Sequence, residues 1–186
     1  MKSTHKTNLI WETVCVEEGA DYRVFRTERV RRRHPRSHQE RTFSVIHAPD
    51  WVNIIAVTPE RELVFVRQYR HGIDDLTLEI PGGMVDKGEE PCFAAQRELR
   101  EETGYTSETW VELGSVAPNP ALQPNQCSTW LALDATLTHN TEWDAGEVME
   151  VLKIPETLVA QLIAQGQINH ALVVVAFYWY DQYTST

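Results

Sequence analysis

Residues 83–105 read GMVDKGEEPCFAAQRELREETGY, and the spacing of their charged residues and glycines decides how the rest of the chain is arranged. Pro91 suits a first helical turn, where a missing N–H and a preset φ are tolerated, and Gly104 suits a left-handed C-terminal cap. The spacing therefore predicts a helix over 91–103. At about 100° per residue, Cys92, Ala95 and Leu99 fall on one stripe, the expected core face, while Phe93 and Arg100 point away. Glu98, Glu101 and Glu102 are spaced i, i+3, i+4 and share a face. Glu102 lies only about 20° around the helix from Ala95, at the margin of the apolar stripe. Carboxylates gathered at such a margin repel one another unless a positive charge stands between them, and hard oxygen donors favour Mg²⁺ or Mn²⁺. A Glu/Arg-rich helix is otherwise a solvated, salt-bridged face, and the run RELREE by itself fits either description.

The full spacing is more specific than that run. Gly83, Glu89, Arg97, Glu98, Leu99, Glu101, Glu102 and Gly104 would coincide by chance on the order of once in 10⁹ windows. The pattern is similar to the Nudix box, Gly-x5-Glu-x7-Arg-Glu-apolar-x-Glu-Glu-x-Gly-apolar, the signature of the Nudix hydrolases. Only Tyr105 departs from it, where an aliphatic residue is usual, and a tyrosine ring still packs as an apolar group.

A chain of 186 residues with 42% apolar residues has the makings of one globular domain with an appended subdomain. We expect an amino-terminal strand subdomain over 1–47, suited to dimerisation, and a catalytic domain over 48–186. No apolar run approaches a membrane span and the start carries no apolar leader stretch, so a soluble cytoplasmic protein is expected. Cys15, Cys92 and Cys127 show no metal or disulfide spacing and are expected as buried thiols. The formal charge of −10 argues against nonspecific binding to nucleic acid or to anionic membranes. An acidic enzyme with a phosphate substrate needs local cations, supplied by metal on the carboxylates or by arginine. Thirteen of the 17 basic residues are Arg, and six of those fall within 29–41.

Outward from the central helix, strands are expected over 8–18, 21–30 and 42–48. Residues 29–38 are charged and broken by Pro35; they read as a solvated loop or as a phosphate or partner-subunit contact. From Trp51 the alternation sharpens: Val52, Ile54 and Ala56, then Leu63, Phe65, Arg67 and Tyr69, joined as a hairpin by the turn 58–61. Arg67 and Arg70 are either exposed strand residues or holders of phosphate or ribose. Residues 76–83 form a short strand ending in Pro81-Gly82-Gly83, where the backbone can approach closely enough for the Gly82 carbonyl to reach a metal on Glu98 and Glu102. Strands follow over 110–116, 127–133 and 147–151, the last with its carboxylates outward. Two helices close the chain, 155–164 and 169–180. Mixed strands with one acidic helix in the middle and helices at the end give an α+β fold.

The resemblance implies more than the residues alone. It implies a Nudix-type α/β/α sandwich with a mixed sheet, in which Glu98 and Glu102 are the principal metal ligands. Glu101 is then a further ligand or helper, the Gly82 carbonyl completes the shell, and Glu89 pairs with Arg97 to orient the helix. In several subfamilies the base that activates water comes from a late loop, and 144–151 (DAGEVMEV) resembles that segment in the ADP-ribose pyrophosphatases. Glu147 is the first candidate and Glu150 the second, each otherwise a surface strand residue. Gln68-Tyr69-Arg70, the lead-in LEIPGG and Pro120 point to the same branch. The branch implies hydrolysis of ADP-ribose or a related nucleoside diphosphate sugar by a homodimer, with Trp11 or Trp51 stacking on the base or packing the dimer. The rivals are another Nudix specificity, such as GDP-mannose or a dinucleoside polyphosphate, and a binding module that senses a nucleotide sugar without cleaving it.

Overall fold

The structure, a computed structural model, describes residues 9–185. The described chain forms two compact units: residues 9–49 with Ala117–Asn125, and Asp50–Val116 with residues 126–185. The first unit is an antiparallel meander of β1 (Glu12–Asp21), β2 (Arg26–Arg33) and β3 (Glu40–His47). Asn8, where the first strand was expected to begin, lies outside the described residues.

The arginine-rich stretch 29–38 is strand rather than loop over its first half, as far as Arg33. Arg33 lies opposite Glu12 on one side and Glu40 on the other. Its guanidinium bonds both carboxylates, at 2.9 and 3.0 Å. Val30 supplies the apolar anchor at 4% exposure. Cross-strand ion pairs thus make a charged sequence compatible with a sheet, and only the turn after Arg33 matches the expected break.

The second unit contains β4 (Trp51–Ala56), β5 (Glu62–Arg70), β6 (Asp75–Glu79), β7 (Gly82–Met84), α1 (Pro91–Thr103), β8 (Tyr105–Thr106), β9 (Thr109–Val116), β10 (Cys127–Leu133), β11 (Thr136–Leu137), β12 (Met149–Pro155), α2 (Val159–Ala164) and α3 (Ala171–Thr184). One sheet runs β7-β4-β10-β9, with β4 and β10 parallel and the other neighbours antiparallel; a second, antiparallel, runs β12-β5-β6. This is an α+β fold with a mixed sheet. Alternate residues of β4 serve two cores. Val52, Ile54 and Ala56 pack with Ala94, Ala95 and Leu99 of α1, while Ile55 packs with Val173, Ala176 and Phe177 of α3.

The expected hairpin between β4 and β5 does not form. The turn does reverse the chain, through Thr58 N–H to Glu62 O at 2.8 Å, but only the isolated bridge Val57–Leu63 joins the two strands. β4 pairs with β7 and β10 and β5 with β6 and β12, so both edges of each strand are already taken. Pro155 ends β12 instead of starting a helix; a 3-10 turn over Glu156–Leu158 intervenes before α2. Gly82 and Gly83 lie in a strand, not in a free turn, and Glu147 lies in the loop before β12, not in the strand itself. The last helix begins at Ala171 and runs to Thr184. Cys127 is buried, but Cys15 and Cys92 are only half-buried; all three are free thiols.

Helix α1 has its expected bounds. Phe93 is exposed, whereas Leu99 and Glu102 are buried. At the C-terminus Gly104 takes φ +76°, and its N–H bonds Arg100 O at 2.8 Å. A Cβ added there would meet the His139 carbonyl oxygen at 2.2 Å. Left-handed backbone alone costs an L-residue roughly 1–2 kcal/mol, so Gly104→Ala is expected to lower the unfolding free energy by about 2 kcal/mol or more. A urea melt measures this; an unchanged midpoint would mean that the neighbouring loop gives way freely.

Candidate active site

A cleft of about 1080 Å³ is walled by the acidic face of α1, strand β7 with the start of β4, the end of β5 with β6, the loop before β12 and the head of α3. Glu98, Glu101 and Glu102 all line it, as do Gly82, Gly83, Arg70, Trp51 and Glu147. Glu102 is only 5% exposed. Its Oε2 accepts the Gly82 N–H at 2.9 Å, which fixes α1 against β7. Burial pushes its carboxyl up to about 8 despite that bond and the nearby Arg70, and the neighbouring Glu98 and Glu147 push in the same upward direction. The Glu98 carboxyl is likewise raised, by burial first, with Arg97 opposing.

Arg97 is the hub of this wall. Its Nε and Nη2 grip Glu89 at 3.1 and 2.9 Å, its Nη1 reaches Glu98 at 2.8 Å and Glu101 at 3.3 Å, and Nη2 also bonds the Met84 carbonyl at 3.0 Å. Glu89 in turn accepts the Asp86 N–H at 3.0 Å and closes the loop ahead of the helix. The Arg97 bonds, outweighing burial, hold the Glu89 carboxyl below its usual range. At Gly83 the backbone comes so near Glu98 that a Cβ would fall 2.4 Å from its carboxylate. A side chain at 83 would displace the Glu98 carboxylate from the position Arg97 holds it in.

Opposite this wall, Arg70 forms a two-pronged pair with Glu79, at 2.8 and 2.7 Å. Burial would raise the Glu79 carboxyl, but Arg70 and the Thr77 hydroxyl outweigh it and hold it low. The loop before β12 brings Glu147 to the cleft. That loop is fastened to the C-terminal carbonyls of α1: Thr138 and His139 N–H to Gly104 O, Glu142 N–H to Glu101 O at 2.8 Å, and the Trp143 ring N–H to Glu102 O at 2.8 Å. These are the carbonyls a helix end leaves without partners.

Three of the expected catalytic and substrate-binding residues are not part of the cleft lining. Arg67 and Glu150 face one another across β5 and β12, paired at 2.9 Å and mostly exposed, and do not line the cleft. Trp11 belongs to the first unit, where its ring stands edge-on to His34 and Phe43. Asn53, Thr77, Glu79, Trp143 and His170 were not foreseen. Asn53 had a visible signal, an amide interrupting the apolar run of β4. Trp143 had none, because its partner is a backbone carbonyl.

Among the described residues no three carboxylate, imidazole or thiol groups already converge as a metal cage; Arg97 draws Glu98 and Glu101 to itself. The donor set nevertheless fits a hard divalent cation. It is all oxygen, it sits on one helix face, and Glu102 is buried with too little positive charge to hold it ionised.

The NUDIX domain profile matches residues 47–172. The chain belongs to the Nudix family. Among its relatives is an ADP-ribose pyrophosphatase of Bacillus subtilis, 30% identical over 133 residues, 71% of this chain and 72% of that protein. A methanol dehydrogenase activator of Bacillus methanolicus is 32% identical over the same shares. A crystal structure of an ADP compounds hydrolase superposes with a TM-score of 0.84 at 22% identity, covering 94% of each chain, and shares the fold. The chain is a Nudix pyrophosphohydrolase of the ADP-ribose pyrophosphatase branch. The Nudix box is thus the segment from Gly83 to Gly104, and its glutamates form the acidic wall.

The Glu102 displacement makes stability depend on pH. Between about 4.5 and 8 the folded protein keeps a proton that the unfolded chain has lost, so the unfolding free energy falls as pH rises through that window. The scale is about 1.4 kcal/mol per pH unit. In metal-free protein, Glu102→Gln is expected to match the wild type near pH 5 and to exceed it by a few kcal/mol near pH 9. Parallel denaturation curves at both pH values would refute the assignment.

Proposed function

We propose that this Nudix enzyme hydrolyses the diphosphate bond of ADP-ribose or a related nucleoside diphosphate sugar, releasing a nucleoside monophosphate and a sugar phosphate, with Mg²⁺ or Mn²⁺ as cofactor. One observation carries the reading. Eight carboxylates and two arginines line the cleft, and both arginines are already bonded to carboxylates. Such a surface repels a diphosphate unless divalent cations come with it. It suits a substrate whose phosphates share cations with the wall.

In this reading Glu98 and Glu102 hold the cation, with Glu101 and the Gly82 carbonyl as further donors. When bound, the cation neutralises phosphate charge and acidifies water. Glu147 accepts the proton of the attacking water, and the new P–O bond forms as the bridging P–O bond breaks, leaving a phosphate on each half. Glu147 is favoured over Glu150, which Arg67 holds outside the cleft lining. Arg70, aimed by Glu79, keeps Nη1 for a phosphate oxygen. Trp51 is the base-stacking candidate in the cleft. We place the enzyme in the cytoplasm as a homodimer, with Trp11, just ahead of β1, in the unit that would serve the partner.

Purified protein with Mg²⁺ is expected to convert ADP-ribose to AMP and ribose 5-phosphate, and chelation to stop it. A panel including GDP-mannose and a dinucleoside polyphosphate ranks specificity, and ¹⁸O-water identifies the phosphorus attacked. Glu102→Gln should abolish turnover with the fold intact; unchanged turnover would remove it as a ligand. Glu147→Gln should lower kcat by about 10²–10⁴-fold at an unchanged melting temperature, and a wild-type kcat would pass the role of base to another group.

A further inference from the structure

Four buried side-chain polar atoms among the described residues have no hydrogen-bond partner, and two of them, Asn53 Oδ1 and His170 Nδ1, belong to residues that line the cleft. The other two, on Asn125 and Trp179, do not. Asn53 is 7% exposed and sits in β4 at a position whose in-phase neighbour, Ile55, is core. Its Nδ2 donates to the Leu172 carbonyl at 3.2 Å. That bond settles the amide orientation, since the reverse would set two oxygens against each other. Oδ1 is therefore an acceptor with nothing to accept from. Beside it is the head of α3, a 14-residue helix whose N-cap, His170, makes no side-chain cap bond. In its first turn Val173 N–H already bonds His170 O at 3.0 Å, so the donors that remain to an acceptor are the N–H groups of Ala171 and Leu172.

An unfilled acceptor next to unfilled donors describes a particular ligand. Phosphate oxygens at neutral pH only accept, so they suit the helix end but not Asn53 Oδ1. A metal ion suits the oxygen but not the N–H groups. A hydroxyl does both at once: its hydrogen goes to Asn53 Oδ1 and its lone pairs take a helix N–H, or His170 when Nδ1 carries the proton. Leaving such atoms buried and unpaired costs stability, which the core-facing apolar residue that fits this strand phase would avoid.

We propose that Asn53, His170 and the open amino end of α3 form a subsite for a sugar hydroxyl of the substrate. This rests on the nucleoside diphosphate sugar reading above. It assigns Asn53 a role in specificity: the amide rejects substrates that lack the hydroxyl, because its oxygen would then stay buried and unpaired.

The test begins with unaltered protein and five compounds: ADP-ribose, and its analogues deoxygenated at C2 or C3 of the distal ribose or at C2′ or C3′ of the adenosine. At least one analogue is expected to lose about tenfold or more in kcat/KM, and which one identifies the sugar. In Asn53→Ala that gap should shrink towards one, and in His170→Ala it should shrink in part. A series with no such loss would mean that the two atoms hold water alone and would overturn the subsite, as would a gap that persists in Asn53→Ala. Should Asn53→Ala fail to fold, the wild-type series decides. If the wild type does not hydrolyse ADP-ribose, the hydrolase reading fails separately, and calorimetric binding of the same five compounds judges the subsite by the same tenfold criterion.

Discussion

A carboxylate buried at the edge of a hydrophobic core holds this molecule's working parts in register. Glu102 sits where the apolar stripe of α1 ends, and its bond to the Gly82 N–H joins the helix to β7. Through the pairing of Gly82 and Gly83 with β4, the same contact reaches the central strand of the mixed sheet. A single backbone N–H does not repay the removal of a full negative charge from water, so the site carries a standing electrostatic deficit. Arg97 relieves it for Glu98 and Glu101 but forms no bond to Glu102. The wall is thus built with a demand for positive charge at its most buried point.

The geometry also joins helix capping to chemistry. The loop bearing Glu147 does not merely pass the active site; it supplies N–H groups to the carbonyls of Glu101, Glu102 and Gly104. The residues that present carboxylates to the cleft therefore present their backbones to the loop that carries the candidate base. A shift of α1 along its axis moves both sets together, which preserves their mutual spacing. Gly104 is the point on which this depends, because a side chain there would collide with His139 O.

What was legible in the sequence follows the range over which each feature is decided. Helix α1 is settled by local signals, Pro91 at its start and Gly104 at its end, and its residue bounds were readable. The same holds for the acidic face, a matter of helical spacing; the tethering of Glu89 to Arg97 followed only from the resemblance to the Nudix box, because Glu89 precedes the helix. The pairing of β4 with β10 rather than with β5 is a long-range choice between ladders; a competent turn at 58–61 gave a local signal for the wrong answer. The arginine strand was hidden because its stability lies in carboxylates on two neighbouring strands, Glu12 and Glu40, rather than in its own residues. Trp143 was invisible for a similar reason. Its function is to reach a carbonyl 41 positions away, and backbone atoms leave no mark in composition.

The pairing of Arg70 with Glu79 shows how the opposite wall answers the acidic one. A lone arginine would lean towards Glu102 and Glu147, whose charges it feels. That would cancel the positive demand of the α1 face and close the cleft on itself. Glu79 prevents it by binding Nε and Nη2 from the other side, and Thr77 holds Glu79 in place. Two of the guanidinium nitrogens are thereby fixed, and Nη1 is left with a set direction. A planar fork restrained in this way loses little further freedom when a ligand oxygen arrives. The cost of ordering Arg70 is met on folding by Glu79, which is not one of the α1 carboxylates, so the acidic wall and the arginine remain separate features of one cleft.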